Sequence, residues 1–275
     1  MTSIPTSAAP ARHYPIYQVD AFAGALFAGN PAAVVVLDSF PDDALLRDIA
    51  GENNLSETAF LVPDAGQYKI RWFTPTLEVP MCGHATLASA AVVMERLQVG
   101  RTQVTFMSAS GALTVSRTRH GYRMNFPRRT PVPVATPPGL AAALGVVPAA
   151  TLDDTFNYIA LFDSASAIGE LAPDLGAIAA LDRTGVVVTA PGGAAYPSYD
   201  FVSRYFAPAK GIAEDPVTGG AHCALTPYWA ARLDKTVLRA YQASRRGGEL
   251  LCRMAAERVE LEGTCVFYLE GRITV

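Results

Sequence analysis

Hydrophobic positions along the chain fall into many short runs and only a few longer helical stretches. Runs of four to eight apolar or alternating residues, bounded by Gly, Pro, Asn or Asp, are typical of β-strands. They predict strands at 17–22, 32–37, 58–63, 68–74, 104–110, 112–118, 122–127, 158–163, 184–191, 201–207 and 258–263. Two apolar-periodic stretches that begin at turns, 41–54 and 84–97, predict helices.

This pattern favours an α+β fold, in which a curled sheet or β-barrel wraps around a central α-helix in each half of the chain. Regular alternation of strands and helices, as in a doubly wound parallel sheet, is not seen. Neither a G-x-G-x-x-G motif nor a P-loop follows a strand, so the sequence predicts no nucleotide site.

An internal repeat relates residues 70–97 to residues 202–233. Both segments run from an arginine and a phenylalanine through a glycine-containing turn into an apolar helix that ends in Arg-Leu. The ungapped alignment of the turns matches Cys82 with Thr218, Gly83 with Gly219 and His84 with Gly220. Because a solenoid needs three or more repeats, a unit present twice predicts two similar domains about a pseudo-twofold axis.

The proline-rich stretch 126–139 is a plausible crossover between these domains. The alternating segment 265–275 has no counterpart in the first half, and we expect it to cross back. The expected domains are 12–128 plus 266–275, and 129–265, with the active site in the cleft between them. A weaker similarity of 45–63 to 175–191 places Gly185 opposite Glu57, so any acid/base role of Glu57 would be one-sided.

Composition adds constraints on the class of protein. Half of the 275 residues are hydrophobic, 17% are charged and the net charge is -3, as in a soluble globular protein. The absence of basic runs argues against nucleic acid, and no apolar run reaches the ~20 residues of a membrane span. Four cysteines without CxxC spacing indicate free thiols in a reducing cytoplasm. The polar, proline-rich residues 1–15 predict a disordered lead-in.

The two matched turns are candidate anion sites. A glycine-rich turn that leads into a helix presents unpaired N–H groups at the positive end of the helix dipole, which suits a carboxylate or phosphate. The candidate donors are the amides of Gly83 and His84, and those of Thr218, Gly219 and Gly220. The alternative interpretation, in which each turn is only a helix cap, stays open at this point.

Glu57 lies at the start of an apolar strand, where burial would raise the pKa of its carboxyl as a general acid/base requires. It could equally be an exposed residue that begins a strand. Asp215 precedes a proline and either fixes a turn or accepts from a substrate amine. His84 lies inside the first turn, whereas His222 is expected to pack in the interior. In the sequence, no His, Cys and Asp residues have metal-ligand spacing.

Four motifs in order, GNPAAVV, NLSETAF, RWFTPTLEVPMCGHATLASA and EDPVTGGAHC, resemble those of the PhzF-like family of phenazine biosynthesis. That family is related in fold to diaminopimelate epimerase and proline racemase. The resemblance covers nearly the whole chain. It implies a barrel around a central helix in each half, a homodimer, and no cofactor and no metal.

The resemblance also implies roles for residues. Glu57 corresponds to the acid/base that moves a proton between carbons of a small amino or carboxylic acid. Residues expected to bind the substrate are Ser56, Gly83, His84, Asp215, Thr218, Gly219, Gly220 and Asn30. Gly220 departs from the serine of the phenazine isomerase, which puts a phenazine precursor as substrate in doubt.

Three functions follow as hypotheses. The first is a cofactor-independent isomerase that uses Glu57 alone. The second is an epimerase or racemase in which Cys82 and Glu57 act on opposite faces; a two-thiol version is disfavoured, because Thr218 stands where the second thiol would be. The third is a binding protein for small anions without catalysis. The sequence does not name the substrate.

Overall fold

The computed structural model describes residues 11–275. The first half forms eight strands: β1 His13–Ala21, β2 Asn30–Val36, β3 Glu57–Asp64, β4 Gln67–Phe73, β5 Glu78–Val79, β6 Gln103–Ser108, β7 Gly111–Arg117 and β8 Tyr122–Pro127. The second half forms β10 Ala150–Asp153, β11 Asn157–Leu161, β12 Gly185–Pro191, β13 Phe201–Phe206, β14 Val237–Gln242, β15 Gly248–Ala255 and β16 Arg258–Gly263. Two further strands are β9 Val132–Val134 and β17 Cys265–Thr274.

The helices are fewer and mostly short: α1 Asp43–Asn53, α2 Gly83–Val92, α3 Leu140–Leu144, α4 Ala165–Gly169, α5 Leu175–Ala179 and α6 Gly219–Leu233. A π-helical turn, Val93–Leu97, continues α2. The α+β class predicted from the sequence is confirmed, and both predicted helices form within a few residues of their expected ends. Strands β14 and β15 were not predicted.

Both halves follow one topology. Strand β2 pairs with β3 in parallel, β3 with β4 antiparallel, and β4 with β6 in parallel. Strands β11, β12, β13 and β14 pair in the same order and with the same directions. An antiparallel meander completes each half, and the last strands of the two meanders, β8 and β16, pair with each other. The pseudo-symmetric arrangement inferred from the repeat is therefore confirmed.

Each half also receives one strand from beyond the other's meander. Strand β9, which follows β8, pairs with β10, and β17, which follows β16, pairs along its length with β1. The domain boundaries proposed from the sequence stay a prediction.

The two longest apolar helices occupy the interior. In α2, every residue from His84 to Val92 is buried, as expected for a helix that is apolar on all sides. Helix α6 is buried over most of its first three turns and contacts α2. Sheet residues such as Trp72, Phe106 and Leu261 close the core around them. Within residues 11–275, no helix is long and apolar enough to cross a membrane.

The predicted disordered lead-in is partly wrong. Residues 1–10 lie outside the described residues, but His13–Pro15 belong to β1. Pairing with β17 and burial of the Tyr14 side chain account for this order, which composition alone does not signal. All four cysteines are free thiols in the described part of the chain, as predicted.

Candidate active site

The N-terminal ends of the two central helices define the candidate site. Helix α2 begins at Gly83 and α6 at Gly219, the two glycines that the repeat matched. The side-chain amide of Asn30 joins the two turns. Its Nδ2 lies 3.2 Å from His84 Nδ1 in the first turn and donates to the Val217 carbonyl, at 3.0 Å, before the second. Both turns therefore face one shared site.

Glu57 reaches this site because of the turn that precedes its strand. Helix α1 ends at Asn53, and Asn54 adopts a left-handed conformation that closes the helix. The Asn53 side chain donates to Thr58 Oγ1 at 3.1 Å, which fixes the start of β3. Glu57, the first residue of β3, pairs in register with Ala32 of β2.

Glu57, His84 and Cys82 form a compact buried cluster. Glu57 Oε2 lies 3.3 Å from His84 Nε2, and Cys82 Sγ lies 3.5 Å from His84 Nδ1. Glu57 is only 8% exposed and His84 only 5%. Despite their proximity, Glu57 Oε2 and His84 Nε2 have no hydrogen-bond partner among residues 11–275. A buried, unpaired carboxyl oxygen is costly and is typical of a functional site.

The cluster has strongly perturbed pKa values. Burial raises the pKa of Glu57 to about 8, and the nearby Asp215 carboxyl acts in the same direction. Burial lowers the pKa of His84 to about 3, so the imidazole is neutral at physiological pH. Burial raises the pKa of the Cys82 thiol well above its ordinary value, and the Glu57 charge adds to this. The thiol is therefore protonated and a poor base.

Both carboxylate oxygens of Asp215 accept hydrogen bonds. One carboxylate oxygen accepts from Asn30 Nδ2 at 2.7 Å and the other from Thr218 Oγ1 at 2.5 Å. Ser56 Oγ in turn donates to Asn30 Oδ1 at 3.3 Å. Burial still raises the pKa of Asp215, more than these hydrogen bonds lower it. Ser56, Asn30, Asp215 and Thr218 thus form one network that links the two halves.

The position of Asn30 depends on the preceding glycine. Gly29 has a φ of +67°, and an added Cβ would collide with the Ala21 carbonyl oxygen. Its N–H donates to the Gly247 carbonyl at 2.7 Å, and its own carbonyl accepts from Arg246 Nε at 2.8 Å. The Arg246 guanidinium also pairs with the buried Asp20 at 2.8 Å. Residues of the second half of the chain therefore fix Gly29, and with it the position of Asn30.

One of the predicted anion donors is already engaged. The Thr218 N–H donates to Gln242 Oε1 at 2.9 Å, while Gln242 Nε2 donates to the Asp215 carbonyl at 2.7 Å. The expectation that the Thr218 amide is free for a ligand is wrong, because Gln242 takes it. The candidate donors of the second turn narrow to the amides of Gly219 and Gly220.

The glycines at the helix starts are not required by the backbone. Neither Gly83 nor Gly219 has a positive φ. An added Cβ would meet Phe126 at 3.7 Å in one case and Leu261 at 3.6 Å in the other, both ordinary contacts. The packing would therefore accept a Cβ at either place.

Folding also assembles a group of metal-ligand types. Glu57, Cys82 and His84 each offer one ligand atom, and these atoms lie within 4.8 Å of one another. The sequence did not signal this group, because Glu57 comes from a strand far upstream of the turn. Carboxylate, thiolate and imidazole are all zinc ligands. The metal-free site implied by the family resemblance stays a prediction.

Two residues near the site were missed. Gln242 belongs to β14, a strand that was not predicted. Lys210 lies in the 3-10 turn Pro208–Lys210, in the stretch between Phe206 and Thr218 where the second copy of the repeat carries three extra residues. Burial lowers the pKa of its ammonium group, while the charges of Asp215 and Glu57 oppose this effect. The extra residues were the available signal for Lys210.

His222 packs in the interior, as expected from its place in the helix. Its Nδ1 lies 2.9 Å from the Thr218 carbonyl and its ring lies against Phe201.

The two similar halves, each with strands around a buried central helix, have the diaminopimelate epimerase-like fold. The family model for PhzC-PhzF, phenazine biosynthesis-like proteins, matches residues 19–271. The chain belongs to this phenazine biosynthesis-like family.

Relatives agree. A Pseudomonas aeruginosa protein named as an uncharacterized isomerase is 48% identical over 94% of this chain and 98% of its own. The crystal structure of a PhzF-family protein from Enterococcus faecalis is 42% identical, with a TM-score of 0.91 over 96% of this chain and 100% of that one. A hydroxyproline epimerase from Agrobacterium vitis shares the fold at 11% identity, with a TM-score of 0.63 over 96% of this chain and 93% of that one.

Proposed function

We propose that the protein is a cofactor-independent isomerase that moves a proton between two carbons of a small amino or carboxylic acid. Glu57 is the single acid/base. In its ionised form it takes a proton from one carbon, a double bond shifts, and the carboxylic acid returns the proton to a second carbon. The supporting observation is the buried Glu57 carboxyl, whose Oε2 has no hydrogen-bond partner among the described residues.

A pKa near 8 suits this role. A group that both accepts and returns a proton works best when both of its forms are accessible near the working pH. Burial brings the Glu57 carboxyl into that range. Its Oε2 atom accepts no hydrogen bond from the described residues, so no protein donor has to be displaced before it takes up a proton.

The remaining residues divide the tasks of binding. The amides of Gly83, Gly219 and Gly220 lie in the first turns of α2 and α6, where N–H groups lack intrahelical partners and suit a substrate carboxylate. Asp215, fixed by Asn30 and Thr218, suits an amine or ring substituent. The neutral His84 lies 3.3 Å from Glu57, where it packs against that carboxyl and adds no positive charge.

The geometry favours a single base over an epimerase that uses Cys82 and Glu57. Two groups that act on opposite faces of a carbon must each approach it to about 3–3.5 Å, so they lie about 6–7 Å apart. The Cys82 and Glu57 ligand atoms lie within 4.8 Å of one another, which is closer than this spacing. The strand equivalent to β3 begins with Gly185, which offers no second carboxylate.

Exchange of carbon-bound hydrogen in D₂O tests the function. The enzyme would be incubated with a panel of small unsaturated carboxylic acids and amino acids, and each would be followed by NMR for exchange and double-bond migration. We expect turnover of at least one compound by the wild type and its loss in Glu57→Gln. A matched control is Glu262→Gln, which alters another buried glutamate, 6% exposed and bonded to Thr118.

The outcomes separate the hypotheses. Loss of turnover in Cys82→Ser as well as in Glu57→Gln, with inversion at one carbon instead of double-bond migration, would favour the epimerase. Binding of carboxylates without exchange of any of them would favour a binding protein.

We further propose that the protein is a cytoplasmic homodimer with the two domains drawn from the repeat, as the family resemblance and the composition imply. Analytical ultracentrifugation checks the dimer. Limited proteolysis near residues 128–131 checks the boundary.

A further inference from the structure

A proline inside α6 creates an anchor for the segment between the two halves. Pro227 has no N–H, so it cannot donate to the carbonyl of Cys223, four residues earlier in the helix. The backbone N–H of Arg129 fills this place and donates to the Cys223 carbonyl at 3.0 Å. The crossover segment is thereby fixed against α6 at Arg129.

This anchor sets the Arg129 side chain at the N-terminal end of α6. Its Nη2 donates to the Gly220 carbonyl, and an added Cβ on Gly220 would lie 3.7 Å from the same nitrogen. A guanidinium therefore lies beside the position that a side chain at Gly220 would occupy.

The Arg129 guanidinium is oriented by a buried carboxylate and stays partly exposed. Nη1 lies 3.0 Å from Asp154 Oδ2, and the Asp154 side chain is fully buried. The other Asp154 oxygen accepts from the N–H groups of Phe156 and Asn157, which fixes the carboxylate. The Arg129 carbon Cζ lies 5.1 Å from the centre of the Phe156 ring. The arginine side chain keeps 24% of its surface exposed.

We propose that Arg129 is a specificity-determining residue that binds a second carboxylate of the substrate. Arginine offers five N–H donors in a planar fork, and its contacts with Gly220 and Asp154 leave donors for a carboxylate. One carboxylate would occupy the amides of the helix starts, and the second would reach Arg129 at the outer side of Gly220. The substrate class is thus a small dicarboxylate or an acidic amino acid. This inference rests on the proposed function for the position of the first carboxylate.

Ligand titrations followed by NMR test this inference without requiring turnover. The probes are malonate, succinate and glutarate, with acetate and propionate as monocarboxylates. For the wild type, we expect at least one dicarboxylate to bind about tenfold more tightly than propionate, since a hydrogen bond to a charged group contributes at least that factor. Arg129→Gln should remove this preference and change propionate binding less than about twofold.

The neighbouring arginine is a matched control. Arg128 pairs with Glu257, whose side chain is largely exposed, and Arg128→Gln should keep the dicarboxylate preference. Arg129→Lys keeps a positive charge on the same backbone anchor and should retain part of the dicarboxylate preference. This variant tests the inference if Arg129→Gln does not fold. Equal affinities for mono- and dicarboxylates in the wild type would overturn the inference, as would equal losses for both in Arg129→Gln.

The two proposals can fail separately. If no acid shows proton exchange but dicarboxylate preference depends on Arg129, the isomerase function is refuted and the Arg129 subsite stands. If a monocarboxylic substrate turns over equally well in Arg129→Gln, the function stands and the subsite is refuted.

Discussion

Replacing Glu57 with glutamine should stabilise the folded protein, and the gain should grow with pH. The pKa of Glu57 is raised from 4.5 to about 8 in the folded state. Between these values, the unfolded chain releases this proton and the folded chain keeps it. Stability therefore falls as pH rises, because the folded state binds more protons than the unfolded state.

The size of the stability difference follows from the interval between the two pKa values of Glu57. Each pH unit between the two pKa values costs about 1.4 kcal/mol, so wild type should lose about 3 kcal/mol between pH 4.5 and pH 7 relative to Glu57→Gln. Taking the difference between the two proteins cancels the contributions of groups that titrate alike in both. One such group is His84, because its pKa is lowered by its own burial.

Urea unfolding at several pH values between 4.5 and 8 measures this difference by linear extrapolation. Glu52→Gln serves as a control, because Glu52 is exposed on α1 and its charge is hydrated in both states. The control should differ from wild type by a constant small amount. A Glu57→Gln difference that stays flat or shrinks with rising pH would refute the raised pKa, and with it the main support for Glu57 as proton carrier.

Four further predictions concern the same site and its supports. With a substrate identified, kcat/KM should fall about tenfold per pH unit below about pH 8 and level off above it, because only ionised Glu57 accepts the proton; a flat profile would contradict this. Gly29→Ala should destabilise the fold by about 2 kcal/mol or more in urea, since alanine is strained at φ +67° and collides with Ala21. Gly83→Ala should keep the melting temperature, because its Cβ fits, yet weaken propionate binding at the helix start in a titration. Gln242→Ala should release Asp215 and Thr218 and weaken amine-bearing ligands more than simple carboxylates, which paired titrations would reveal.

The sequence predicted the architecture because its signals were local or repeated. Matching glycines at offset 136 located the starts of both central helices, Gly83 and Gly219, and the structure has both. Strand β14 was missed because its buried face carries Leu238, Ala240 and Gln242, which give little hydrophobic contrast. Since Gln242 lies on that strand, its hold on Asp215 was missed too.

The candidate site was predictable only through resemblance. Nothing local indicates that Glu57 approaches His84, because the packing of α2 against β2 and β3 brings them together. The engagement of the Thr218 amide depends on a side chain 24 residues away. No signal in the sequence indicated Arg129, because its position at Gly220 depends on the Cys223 carbonyl that Pro227 leaves free.

Strands β9 and β17 each follow the meander of one half and pair with a strand of the other half. This arrangement affects how the chain folds during synthesis. Strand β1 is synthesised some 250 residues before its partner β17 (β1 begins at His13 and β17 at Cys265). On one side β1 can pair with β2 early, but the other side stays open until β17 has been made. Open strand edges invite pairing with other chains, so the nascent chain is exposed to aggregation during that interval. A circularly permuted chain that begins with β17 and continues directly into β1 would close that edge early, and should yield more folded protein without a chaperone.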